Sequence, residues 1–577
     1  MEVPWADDRL AMLPWERLRD KILTVDGKPF AAYQTLEGAY RFERFVLFIE
    51  AVNMEPPGAP SPIRVRVDQA EARFPADLSS SPVRRTALED YIARRFLDSA
   101  RRITRTRGGR AGISIDAGGQ TILPRTSCRV AEDYVEVRAE ITLPSDGRKA
   151  SAKAAQALLF DDLGQIVDGA LLYGGLNPQH LARHVEAAED AQALRGALAE
   201  RGLVAFIADG AVLPREGDGD RPLLARLVPF HSPDELRVAL RVPHRGEISG
   251  MGIPRGVTVI IGSAFSGRST LLRTIASAVY AHVPGDGREY CATVPDAVFV
   301  QAEEGRRVEG VNLTPFISAL PTGEDPARFR GDHTPALLAQ AASVSEALEA
   351  GTTLLLFDED TSAPRLLTRD VLWRHLAPEA RDPVTPLADL VRPLYAEHGV
   401  SSVIVGGAGS SLPGVADTVI AMDGFRPLAV TARAKQLVGE WPGVRVAESR
   451  GFGGIHHRVP LGDSVAFLRG RRQRADAPAP RTLALAREVV DLRALIQLVD
   501  PGQVRAIGAA LVYAVERGYL DGSRTLREVL SLIEADIAAG GLDILSPSEF
   551  PAGGFALPRR QELAAGWNRL RPLRVRN

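Results

Sequence analysis

The stretch from Gly256 to Thr270 constrains this chain more than any other. Gly256-Val257-Thr258-Val259-Ile260-Ile261 is an apolar, β-branched run that reads as a buried strand. It passes directly into Gly262-Ser263-Ala264-Phe265-Ser266-Gly267-Arg268-Ser269-Thr270 and then into a helix opening at Leu271-Leu272-Arg273. Strand, glycine loop and helix in that order make a cradle for phosphate. Glycines let backbone N–H groups curl around an anion, and the helix N-terminus adds partial positive charge. The candidate phosphate-binding residues are therefore Gly262, Ser266, Gly267, Arg268, Ser269 and Thr270, with Ser269 also placed to hold Mg²⁺. A glycine turn with no ligand has the same local pattern, so a second motif has to decide. Downstream, residues 353–357 form another buried strand pattern that ends in Asp358-Glu359. Two carboxylates at a strand end put one acid on the metal and the next on an attacking water. The pairing predicts a nucleotide-binding P-loop core with Asp358 as a metal ligand and Glu359 as the catalytic carboxylate.

The flanks of that core follow from length and pattern. A chain of 577 residues suggests roughly three or four domain-sized units. Its 45% hydrophobic and 25% charged content is that of a globular protein rather than a disordered or membrane one. Cys128 and Cys291 are the only cysteines, which excludes a disulfide framework or a four-cysteine zinc site. The acidic N-terminus lacks a secretory layout and no apolar run reaches membrane-spanning length, so a cytoplasmic location without a membrane partner is expected. Residues 1–245 mix a helical pattern at 86–101 with strand alternation at 135–141, an α+β domain. Residues 246–470 carry buried runs at 257–261, 297–300, 353–357 and 402–405, which suit a largely parallel sheet covered on both faces, the α/β core. From 471 to 577 the pattern predicts a Pro- and Ala-containing linker at 475–480, entered through Arg469, Arg471, Arg472 and Arg474. Helices follow at 483–499, 503–517 and 525–538, a mainly helical C-terminal domain.

Motifs on both sides of the core carry a wider resemblance. They include Pro60-Ser61 with Arg64-Val65-Arg66-Val67, Leu143-Pro144 with Gly147-Arg148, Leu213-Pro214-Arg215, Gly250-Met251-Gly252-Ile253-Pro254, and His282-Val283-Pro284-Gly285-Asp286-Gly287-Arg288-Glu289. Further on stand Glu303-Glu304-Gly305-Arg306, Asp358-Glu359-Asp360-Thr361-Ser362-Ala363 followed by Arg369-Asp370, Gly406-Gly407, Gly451-Phe452-Gly453 and Arg458-Val459-Pro460. With these the chain resembles the predicted ATPases of the ABC class, a group distinct from the ABC transporters. The resemblance implies a P-loop NTPase of the ABC class between an N-terminal and a C-terminal domain, with ATP and Mg²⁺ as ligands. It also implies head-to-tail pairing as a homodimer or heterodimer, and an RNA-associated role.

The chain departs from that pattern at three places. Arg268 stands where the phosphate loop has lysine, a planar guanidinium in place of a compact ammonium. Only five of the 70 basic residues are lysine, leaving 65 arginines, so composition alone also accounts for an exchange. Pro335-Ala336-Leu337-Leu338-Ala339 occupies the place of the serine- and glycine-rich signature, and its side chains carry no hydrogen-bond donor. The loop Gly406-Gly407-Ala408-Gly409-Ser410-Ser411 lacks the acidic and aromatic residues that end the corresponding family loop. Retained Glu359 points to a slow ATPase; the altered signature points to a nucleotide-binding scaffold that hydrolyses little and grips RNA or a protein partner.

Gln301, after the run at 297–300, fits either a metal-contacting position or a polar strand end. His282, His456 and His457 lack metal-ligand spacing and read as structural. Two arginine clusters, Arg101, Arg102, Arg105, Arg107, Arg110 and Arg559, Arg560, Arg569, Arg571, Arg574, Arg576, the second with Trp567, have the chemistry to hold phosphates and stack a base. Ion pairs with the chain's acids are the alternative.

Overall fold

An alternating strand buries one face, and the N-terminal sheet shows what this chain does with the other. The computed structural model describes residues 11–54, 59–107, 112–217, 219–225, 227–368, 382–407, 412–440, 451–470, 475–546 and 551–576. The chain forms two bodies, Met1–Glu189 with Ala539–Leu557, and Asp190–Ala538 with Pro558–Asn577. In the first, strands β1 (Met12–Pro14), β2 (Gly38–Arg41), β3 (Val46–Ile49) and β4 (Ser61–Asp68) precede helix α1 (Pro82–Arg107). After it come β5 (Gly112–Ser114), β6 (Cys128–Val130), β7 (Tyr134–Thr142) and helix α2 (Leu163–Ala170). The sheet runs β1-β2-β3-β4-β7-β5, with β6 also on β7. All its pairings are antiparallel except β1 with β2.

Within β4, Ile63, Val65 and Val67 are buried on one face, while Arg64 and Arg66 alternate onto the other. In register with them, β7 places Arg138 opposite Arg64 and Glu136 opposite Arg66. Buried Glu136 accepts from Arg64 Nη1 at 3.0 Å, Arg66 Nη2 at 2.7 Å and Arg138 Nε at 3.1 Å. Arg138 Nη2 also donates to Asp543 at 2.8 Å, which ties the returning 539–557 segment to this sheet. Burial alone would raise the Glu136 pKa, but the guanidinium groups of Arg138, Arg64 and Arg66 outweigh it and lower it to about 2.

Two sheets of the second body frame the candidate site. Their strands are β8 (Leu203–Ala208), β9 (Arg237–Val242), β10 (Gly246–Pro254) and β11 (Val257–Gly262), followed by helix α3 (Arg268–Ser277). Then come β12 (Ala292–Thr293), β13 (Val298–Phe299), helix α4 (Ala336–Ala350) and β14 (Leu354–Asp358). Helix α5 (Leu387–His398), β15 (Ser401–Val405), β16 (Thr418–Asp423) and β17 (Arg426–Ala429) complete the core. An antiparallel sheet has the order β9-β10-β8-β12 and the main sheet β13-β14-β15-β11-β16-β17. Pairing in the main sheet is parallel up to the antiparallel β16–β17 hairpin at its edge. Every residue of β14 and β15 is buried, as a sheet covered on both faces requires. Helices α3 and α5 both pack on β11 and β15.

The C-terminal region differs from the sequence reading in one place. Residues 475–480 and 483–499, expected as linker and helix, instead give a three-stranded antiparallel sheet of β18 (Ala475–Ala479), β19 (Thr482–Leu485) and β20 (Glu488–Asp491). Pro478 fits because β18 is an edge strand. The remainder is largely helical, with α6 (Pro501–Glu516), α7 (Leu526–Gly540) and α8 (Arg560–Asn568).

Two consequences are measurable. A carboxylate whose pKa is lower in the folded than in the unfolded chain stabilises the fold above its unfolded pKa and loses that contribution as pH falls toward the folded value. Glu136 should thus contribute on the order of 3 kcal/mol at neutral pH, lost as pH drops from the ordinary glutamate range toward 2. Glu136→Gln, which leaves buried guanidinium charge uncompensated, is expected to cost about 3 to 5 kcal/mol in denaturant melts at pH 7. The second concerns Phe265, whose φ of +60° is left-handed while its side chain is 96% exposed. Having almost no packing to lose, Phe265→Gly is expected to raise stability by about 1 kcal/mol in the same melts.

Candidate functional site

Because the strands of the main sheet run in parallel, their C-terminal ends gather at one edge, and the predicted site residues lie there. Strand β11 ends at Gly262, and the loop returns to a helix that begins with Arg268. Gly267 caps that helix with φ +98°, a left-handed conformation that glycine adopts without strain. Gly262 has no room for a side chain: a Cβ would lie 2.6 Å from the Met422 carbonyl oxygen and 2.7 Å from Ser266 Oγ. Ser266 is 5% exposed, and its hydroxyl oxygen has no hydrogen-bond partner among the described residues. A buried hydroxyl without a partner, beside two glycines at a helix N-terminus, fits an anion in the loop. Ser269 and Thr270 occupy the first turn of α3, both half-buried.

The acids end β14. Asp358 is buried and its carboxylate accepts from the Asp360 N–H at 3.3 Å, so it caps the short helical turn Glu359–Thr361. Glu359 is exposed, and its Oε2 accepts from the Gly407 N–H at 2.6 Å. From the phosphate-loop side, Arg268 Nη1 donates to the Gly406 carbonyl at 3.3 Å. Strand β15 lies between β14 and β11 in the sheet, and the residues that follow it bond to groups that follow both. The sequence reading noted the Gly406-Gly407 pair as part of the family resemblance and the lack of acidic and aromatic residues in 406–411, but not these contacts. Such backbone contacts have no signature that a sequence displays, and 408–411 lie outside the described residues.

Gln301 sits beside the acids. The flanking Val300 and Ala302 N–H groups donate to the Leu356 and Thr361 carbonyls at 2.9 and 2.8 Å. Half-buried Gln301 also lines a cleft with Ser343, Glu346 and Arg569. The apolar 335–339 segment opens α4, with Pro335 as its cap; the Ala336 N–H donates to Glu304 Oε2 at 2.8 Å. Deeper in α4, Gln340 is buried and bonds to Ser362 Oγ at 3.0 Å and the Ala363 N–H at 2.7 Å, which braces the turn after the acids.

Several other candidates serve the interior. His282 is buried, with Nδ1 2.9 Å from Asp286, a structural histidine as expected; His456 and His457 are exposed. Trp567, read as a possible stacking ring, is 1% exposed and donates its indole N–H to the Ile507 carbonyl, so it presents no face to a base. Arg559 pairs with Glu562 and bonds the Pro295 and Ala297 carbonyls, Arg560 pairs with Glu534, and Arg569 pairs with Glu303 at 2.7 Å. The C-terminal cluster is therefore largely engaged in internal pairs. In the other cluster Arg101 and Arg102 are exposed on α1, while the side chains of Arg105, Arg107 and Arg110 lie outside the described residues, as do Arg369, Asp370, Arg471, Arg472 and Arg474. No helix among the described residues is long and apolar enough to cross a membrane.

Three known families match successive stretches of the chain. They are "ATPase of the ABC class N-terminal" at residues 15–174, the ABC ATPase "P-loop domain" at 177–458 and the "MRB1590 C-terminal domain" at 474–576. The uncharacterized protein MJ1628 of Methanocaldococcus jannaschii is 29% identical over 223 residues, which cover 37% of this chain and 48% of that protein. The chain thus matches about half the length of that relative. Among solved structures, similarity is found to cbiO1 from Clostridium perfringens, described as part of the ABC transporter complex cbiONQ, and to MJ1267 in its ADP conformation, described as an ATP-binding cassette of an ABC transporter. Each is 13% identical over 42% of this chain and 96% of its own, with TM-scores of 0.24 and 0.25. A bacterial Atm1-family ABC exporter with ATP bound is 13% identical over 42% of this chain and 41% of its own, with a TM-score of 0.23. The phosphate loop, the paired acids at the same sheet edge and the three successive family matches give this chain the domain architecture of an ATP-binding, ABC-class P-loop ATPase.

Proposed function

We propose that this chain is a slow ATPase outside the transporter group, whose site is completed by its own Glu359. The observation that supports this reading is the convergence at the end of β15: Arg268 from the phosphate loop and Glu359 from the acid strand both bond the residues 406–407. In the proposed reaction the loop N–H groups, Ser266, Thr270 and Arg268 hold the phosphates of ATP. Ser269 and Asp358, with Gln301 just beyond the neighbouring strand β13, would hold Mg²⁺, which when bound would supply charge neutralisation to the phosphates. Glu359 orients a water for in-line attack on the γ-phosphorus and accepts its proton. The bond from the γ-phosphorus to the β,γ-bridging oxygen breaks, giving ADP and phosphate.

A second reading has its own support. The first N–H groups of α4 are where an apolar signature would have to meet phosphate, and Ala336 already gives its N–H to Glu304. A chain arranged in this way suits a hydrolysis-deficient, nucleotide-bound scaffold, alone or beside a partner chain that supplies the missing signature. In either reading the proposed setting is cytoplasmic and the proposed partner is RNA or another nucleic acid, reached through exposed Arg101 and Arg102 of the N-terminal body.

Single-turnover assays with Mg-ATP separate the two readings. The parent chain is expected to form ADP, and Glu359→Gln to slow that step by at least about 100-fold while still retaining ATP. ATP binding by the parent without ADP formation selects the scaffold, and absence of ATP binding removes both readings.

A further inference from the structure

The carbonyl that accepts from Arg268 and the N–H that donates to Glu359 belong to one peptide unit, the Gly406–Gly407 bond. In a trans peptide the C=O and N–H point in opposite directions. The guanidinium therefore meets the negative end of the peptide dipole at 3.3 Å and the carboxylate its positive end at 2.6 Å. Both are hydrogen bonds to a charged group, the stronger kind. Packing leaves little room for a side chain at the first residue of this unit and ordinary room at the second. A Cβ on Gly406 would lie 2.4 Å from Leu412 Cδ1, which only rearrangement could relieve, and one on Gly407 would lie 3.5 Å from Glu359 Oε2, an ordinary contact. The unit directly follows β15, whose Val405 is paired with Asp358 on the neighbouring strand, so the sheet fixes its position relative to the acids.

We propose that the Gly406–Gly407 peptide unit is a positioning group for Glu359. Its N–H does with backbone atoms what a polar side chain after β15 would otherwise do, holding the carboxylate where it can accept a proton from water. Through its carbonyl, the same unit links Glu359 to Arg268, so a phosphate that draws on the guanidinium changes the partner at the other end of the peptide. The inference rests on the hydrolytic reading given above. It predicts dependence on a single N–H, which substitution at position 407 can remove or retain.

Gly407→Pro removes the donor, whereas Gly407→Ala keeps it with a methyl group that fits the space. In steady-state and single-turnover assays with Mg-ATP, Gly407→Pro is expected to lower kcat by about 100-fold with KM and ATP binding within about threefold of the parent. Gly407→Ala is expected to restore kcat to within about threefold. Should Gly407→Pro fail to fold, Glu359→Asp gives the second test. It keeps a carboxylate but ends one methylene short of the Gly407 N–H, and a comparable loss in kcat at unchanged ATP binding is expected. Equal losses in the proline and alanine variants, or a Glu359→Asp chain that turns over at the parental rate, would overturn the positioning role while leaving an ATPase. A parent chain that binds Mg-ATP and forms no ADP would overturn the hydrolytic reading and this role together.

Discussion

Backbone hydrogen bonding in the parallel sheet is the constraint from which the site follows. A buried strand can leave few backbone polar groups without a partner, so β14, β15 and β11 pair along their length. Leu354 to Asp358 therefore runs in register with Ser401 to Val405, and Val257 to Ile260 with Ser402 to Val405. Parallel pairing sends all three chains out at the same edge. The phosphate loop, the acids and the glycine pair are neighbours in space because their strands cannot end elsewhere. No attraction among the site residues is needed to assemble them. The bonds from Arg268 and Glu359 to residues 406 and 407 refine an arrangement that the sheet has already imposed.

Arginine serves the rest of the molecule in a different way. Most helix and strand faces need apolar side chains, yet this chain repeatedly buries guanidinium groups and surrounds them with acceptors. Arg64 and Arg138 meet Glu136 in one body. In the other, Arg306 pairs with Glu346 at 2.7 Å, while buried Arg458 pairs with Glu349 and donates to the Glu309 carbonyl at 2.8 Å. A planar fork with several donors can satisfy a carboxylate and a carbonyl together, which a lysine cannot do with the same geometry. Desolvation offsets much of the attraction in such pairs, but breaking one leaves a buried charge, which is strongly destabilising. Glu346 and Glu349 both lie on α4, the helix whose first residues carry the altered signature. That helix is held inside the body by these two ion pairs and by Ala341, Ala342, Val344, Ala347 and Leu348 in the buried core.

Legibility in the sequence followed the range of the interactions. The strand, loop and helix around Gly262 to Thr270 and the acids after 353–357 are contiguous patterns, and both lie where their periodicity places them. Residues 483–499 misled because Leu, Ala and Arg are good helix formers and hide a two-residue alternation. Leu483 and Leu485 are buried while Thr482 and Ala484 are only partly so, and cross-strand pairing overrode the propensity. Trp567 and its neighbouring arginines looked like a surface for bases, but a tryptophan is as well suited to a core, and only tertiary packing distinguishes the two. Bonds between residues far apart in the chain could not be read at all. Asp543 returns to Arg138 in the N-terminal body, and Gln497 spans three backbone groups, accepting from the Phe299 N–H and donating to the Ala276 and Ala297 carbonyls.

The same distinction of range bears on Arg268. Read in sequence, an arginine in a phosphate loop is a departure, since its flat head is larger than the ammonium it replaces. In the fold that length has a use, because the head reaches a carbonyl just beyond the end of β15, the strand beside the one that leads into its own loop. One donor, Nη1, is spent on the Gly406 carbonyl. A lysine making that contact would spend its point charge in one direction, whereas a guanidinium bonded to the carbonyl through Nη1 retains further donors. The exchange therefore gives the site a cation bonded to the same peptide unit whose N–H donates to Glu359.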